Sequence, residues 1–69
     1  MRQYKIMNEY GNIIEYVWAN SEREALCIYL MQHEELNDMM LWKTSNNKWK
    51  LAEYDNEDEY IVACIRWGD

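Results

Sequence analysis

The chain contains no proline and no phenylalanine, only two glycines and two cysteines, and a single histidine. Each shortage removes a class of function. Gly11 and Gly68 are too few to build the glycine-rich loop that cradles a phosphate. Cys27 and Cys64 cannot make the dense disulfide framework of a small secreted domain, and their spacing leaves open whether they pair. His33 lies about 120° around a helix from Cys27, so local geometry offers no Cys–His dyad. A lone histidine at the border of an apolar helix face reads instead as a hydrogen-bonded boundary residue. No enzyme chemistry and no cofactor are expected. No apolar run approaches the roughly 18 to 20 residues that a membrane span needs, and none follows Met1-Arg2-Gln3-Tyr4-Lys5 as a leader would, so a protein of a reducing cytoplasm is the expectation. Positive charge is scarce as well: seven basic residues against thirteen acidic ones leave a net charge of -6. That sign repels the phosphate backbone and argues against direct DNA or RNA binding.

What is present is a compact, aromatic chain. Its 69 residues make a single domain, residues 1–69, without repeats or a linker. Surface scaling gives about 4,700 Å² of accessible area folded against about 12,300 Å² unfolded, so roughly 62 % of the surface is buried in one small core. A hydrophobic content of 49 %, with four Trp and six Tyr, excludes a disordered chain.

The hydropathy pattern predicts β-β-α-β-β-β, an α+β fold in which a small antiparallel sheet carries one helix on one face. Gly11-Asn12 reads as a two-residue hairpin loop. That loop opposes Tyr10 to Ile13, Ile6 to Val17 and Tyr4 to Ala19, and leaves Lys5, Met7, Tyr16 and Trp18 on the other face. Ser21 followed by Glu24 is a capping box, and a helix is expected from about Glu22 to Leu36. Its apolar face holds Ala25, Leu26, Ile28, Tyr29, Leu30, His33 and Leu36; Cys27 and Met31 fall among the charged residues on the outer side. Three strands follow, at Met39 to Thr44, Trp49 to Tyr54 and Glu59 to Trp67. An Asn46-Asn47 loop opposes Trp42 to Leu51, Thr44 to Trp49 and, with mild repulsion, Lys43 to Lys50. The last strand is apolar on both faces, as a central strand is.

Two features rise above background. Carboxylates cluster at Glu53, Asp55, Glu57, Asp58 and Glu59, and again at Glu34, Glu35 and Asp38. The first run fails as a calcium loop, since Tyr60 stands where the EF-hand turn needs glycine and strands flank it instead of helices, so no metal is expected there. The plain reading is a solvated acidic turn; the functional one is electrostatic steering toward a basic protein surface, with Trp42 and Trp49 as candidate anchors. The aromatic residues also exceed what one helix on one sheet requires, which points to a contact face on the sheet side away from the helix, around Tyr16 and Trp18. A homodimer through that face or through an edge strand is the alternative function.

In size, acidity, lack of catalytic machinery and one-helix α+β layout, the chain resembles the small phage-encoded inhibitors such as anti-CRISPR proteins. The resemblance is one of class and assigns no role to any single residue. It implies a bacterial or phage origin and a target in the host cytoplasm, such as a CRISPR effector or another nucleic-acid-binding protein.

Overall fold

The computed structural model describes residues 1–66. It contains a five-stranded antiparallel sheet and one α-helix in the chain order β1 (Arg2–Asn8), β2 (Ile13–Ala19), α1 (Glu22–Gln32), a 3-10 turn (Glu34–Leu36), β3 (Met39–Ser45), β4 (Lys48–Glu53) and β5 (Asn56–Ile65). Across the sheet the order is β2-β1-β5-β4-β3. The strand that is apolar on both faces thus occupies the centre, where both its edges are paired. Trp67, which the alternation places at the end of that strand, lies outside the described residues. The accessible surface of 4869 Å² is close to that of a folded chain of this size.

The core lies between α1 and one face of the sheet. Tyr4, Ile6, Val17, Ala19, Leu51, Ile61 and Ala63 come from the strands and meet Ala25, Leu26 and Tyr29 of the helix. Ile6, Leu26 and Leu51 are its largest fully buried side chains. Ile28, Leu30 and Ile65 close its margin half-buried, and Met31 is 80 % exposed on the outer side of α1.

The first hairpin folds with a longer loop than Gly11-Asn12 alone. Asn8 Oδ1 accepts from the backbone N–H groups of Tyr10 and Asn12, both at 3.0 Å, while Gly11 takes φ +81°. An asparagine side chain that satisfies two turn amides stabilises a four-residue loop, and glycine adopts the positive φ without steric cost. The register therefore becomes Tyr4 to Val17 and Ile6 to Glu15, with Ile14 as an extra residue before Ile13 meets Met7. The Tyr10–Ile13 pair does not form. Because the shift is two residues, the buried face is unchanged.

Ser21 caps α1 as the capping box predicts, its Oγ accepting from the Glu24 N–H at 3.1 Å. Such a cap contributes about 1 kcal/mol. The helix ends at Gln32 rather than Leu36, because His33 leaves helical geometry at φ -128°, ψ 81°. Continuing the α-helix would place Glu34 and Glu35 at its negative end, where carboxylates are disfavoured.

In the second hairpin Ser45 pairs with Lys48 around Asn46-Asn47, with Asn47 at φ 62°. A bulge at Thr44 then shifts the rest by one residue, to Lys43–Trp49, Trp42–Lys50 and Leu41–Leu51. The Lys43–Lys50 repulsion is avoided, and Trp42 and Trp49 come to opposite faces of the sheet. In the last hairpin the turn is Tyr54-Asp55. Pairing jumps from Ala52–Tyr60 to Glu53–Asn56, leaving Glu57, Asp58 and Glu59 as extra residues at the start of β5 rather than in a loop.

Candidate functional site

Strand direction sorts the charges. β1 and β4 end, and β2, β3 and β5 begin, at the same end of the sheet, toward which α1 also runs. Glu9 follows β1 there, Glu15 lies near the start of β2, and Glu34, Glu35 and Asp38 connect α1 to β3. Glu53 closes β4, and Asp55, Glu57, Asp58 and Glu59 form the adjoining turn and bulge. The Met39–Glu53 pair brings the two acidic segments together, since Asp38 precedes one member and the Tyr54-Asp55 turn follows the other. Arg2, Arg23, Lys43, Lys48 and Arg66 gather toward the opposite end, where Glu22 and Glu24 are the carboxylates among the described residues. A molecule with net charge -6 is thus strongly polar along its strands.

Tyr54 stands 72 % exposed within the acidic pole, and its ring stacks on Trp42 with centroids 6.3 Å apart. Trp42 is held from behind, its indole N–H donating to the Ala52 carbonyl at 3.1 Å. Tyr54 is an exposed aromatic residue of this pole that sequence reasoning did not single out; its place in an acidic turn was legible, its stacking on a strand was not. Lys50 tempers the pole, pairing with Glu57 at 3.5 Å and lying 5.5 Å from the Tyr60 ring centroid.

Trp49 belongs elsewhere. It sits half-buried on the helix side, with the Arg23 guanidinium 5.3 Å from its ring. Together with Tyr4, Asn20, Ser21, Glu22 and Asn47 these two residues line an open cleft of about 410 Å³ at the basic end. The Lys48–Glu22 ion pair spans 3.1 Å beside it. The two candidate anchors are therefore separated, Trp42 beside the acidic pole and Trp49 away from it.

Neither protein-family models, nor curated proteins, nor solved structures match the chain. The reading of the site rests on its geometry. Among the described residues no group of three or more His, Cys, Asp and Glu side chains could hold a metal ion. Both cysteines are free and half-buried. No described helix is long and apolar enough to cross a membrane.

His33 ties the acidic pole to the sheet. Its ring lies 4.2 Å from that of Tyr29, with Nε2 3.3 Å from Glu15 Oε1 and Nδ1 3.2 Å from Glu35 Oε1. The other Glu15 oxygen is buried without a hydrogen-bond partner among the described residues. Desolvation disfavours the charged imidazole, but hydrogen bonds to Glu35 and Glu15 and the charges of both outweigh it, so the His33 pKa rises above its usual 6.5. Glu35 is lowered from 4.5 by its own backbone amide and then by His33. Burial, aided by Glu15 and Glu35, pushes the Tyr29 phenol above its ordinary range.

The linkage has a definite sign. A group whose pKa is raised on folding contributes stability that is complete below its unfolded pKa and disappears as pH rises through the folded one. A lowered carboxylate contributes above its unfolded pKa and loses that contribution as pH falls through its folded value. The stability difference between wild type and His33→Gln should therefore be greatest between the carboxylate and imidazole ranges and shrink above pH 6.5 as the raised His33 pKa is crossed. Urea midpoints of both proteins across this range check it; parallel profiles would remove His33 from the pH response.

Proposed function

We propose that the chain is a non-catalytic binding protein whose acidic pole docks on a basic protein surface, of the kind that otherwise receives nucleic acid, in the manner of an anti-CRISPR-like inhibitor. The observation that carries this reading is the convergence of two acidic segments around the exposed Tyr54, stacked on a half-buried Trp42. Carboxylates concentrated at one end raise the encounter rate with a basic partner, and an aromatic contact amid them supplies area that excludes water once the complex forms. The target is a basic groove on an effector nuclease or similar protein in the host cytoplasm.

Charge reversal tests the reading. Glu57 is left in place because it holds Lys50. The wild type is immobilised, the host cytoplasmic proteins it retains are purified, and their kinetics are measured against both the wild type and the triple variant Asp55→Lys, Asp58→Lys, Glu59→Lys. Association of the wild type should slow as salt rises, because exposed charges are screened beyond about 8 Å at physiological ionic strength. The variant should associate at least about ten times more slowly at low salt. A folded variant that binds the purified partner at the wild-type rate, with the same salt dependence, eliminates the acidic pole from the mechanism.

A further inference from the structure

The sheet has two edges, and they are built differently. β3 carries Lys43 and a bulge at Thr44, both of which blunt an edge against further pairing. β2, at the other edge, has its own bulge at Ile14 but is regular from Glu15 to Ala19. That segment contains no Lys, Arg or Pro. Its one charged residue, Glu15, shares the helix-side face with Ile6 and is engaged by His33. Tyr16 and Trp18 project to the face without a helix and are 42 % and 59 % exposed. As the last strand in the sheet order, β2 pairs on one side only among the described residues.

We infer that this edge pairs with the same edge of a second copy of the chain, antiparallel, joining the two sheets into one. A two-fold axis through Val17 sets Tyr16 opposite the partner's Trp18 twice, an aromatic pair of the kind that stabilises strand pairing. On the other face Glu15 meets the partner's Ala19, so no like charges oppose one another. Charge complementarity selects the orientation: antiparallel pairing lays the acidic end of one copy, with Glu15 and Glu35, beside the basic end of the other, with Arg2 and Arg23. Parallel pairing sets acidic end beside acidic end. Stacking the two open faces brings the Lys5, Lys50 and Arg66 positions of one copy toward those of the other, which is unfavourable. A strand-edge contact this short lies at the small end of specific interfaces, so the dimer forms at high concentration.

Sedimentation equilibrium up to about 1 mM, a range in which weak association is measurable, gives the first readout. The mass should rise from 8.5 kDa toward twice that value, and less at high salt. Tyr16→Lys with Trp18→Lys should weaken self-association at least about tenfold, as loss of aromatic anchors does, while leaving the circular dichroism spectrum unchanged. Hydrogen exchange on the wild type needs no variant: protection of β2 amides should increase with concentration and that of β3 amides should not. A wild type that remains at 8.5 kDa throughout overturns the inference. So does self-association that survives the double substitution in a folded protein, or that protects β3 instead of β2.

Discussion

Replacing Leu26 with alanine is expected to cost about 2–5 kcal/mol, enough to unfold much of the population. A chain of this length has a total stability of roughly 3–10 kcal/mol, so one core truncation takes a large share. Leu26 is fully buried at the centre of the helix face, between Ala25 and the strands that carry Ile6, Val17 and Ala63. Its buried neighbours on the helix are the small Ala25 and Tyr29, which already belongs to the core cluster. Chemical denaturation followed by tryptophan fluorescence measures the loss. A change below 1 kcal/mol would mean that the helix settles onto the sheet and closes the cavity.

Ile6→Ala should be as damaging, at the upper part of the same range of about 2–5 kcal/mol. Ile6 is fully buried on β1, with Ala63 registered beside it on β5 and Glu15 on β2. Alanine cannot expand into the void, and Glu15 is committed to His33, so the cavity persists. Ile65→Ala provides the contrast. Ile65 is half-buried at the margin, and its truncation should cost less than Ile6→Ala because part of the lost surface was already in water. Equal losses for the two isoleucines would refute the assignment of Ile6 to the core centre and Ile65 to its margin.

These contrasts show how the alternation of a strand translates into burial. Tyr4, Ile6, Val17 and Ala19 share a face whichever even register the hairpin adopts, because strand side chains repeat every two residues. The helix start was equally legible, since Ser21 and Glu24 are three positions apart and their bond is local. The central place of β5 followed from its two apolar faces, since between two paired strands neighbouring side chains half-bury Val62 and Cys64 even on the face without a helix. Bulges were not legible. Thr44 carries no mark that it is an extra residue, yet it decides which side of the sheet Trp42 occupies. Asn56, Glu57 and Asp58 likewise read as loop, although Asn56 already pairs with Glu53 in β5 and Glu57 and Asp58, with Glu59, form an unpaired excursion within that strand.

The acidic pole divides in the same way. Sequence alone determined that this chain is acidic, aromatic and α+β, that its helix begins after Ser21, and that carboxylates crowd two segments. Composition and local spacing suffice for those properties, because they depend on residues within a few positions of one another. Only the tertiary structure decided that the two segments form one surface, that Tyr54 rather than Trp49 stands among them, and that the basic residues lie toward the other end. Those relations depend on the direction and register of strands brought together across the sheet, set by the packing of the whole core and by bulges with no local signature.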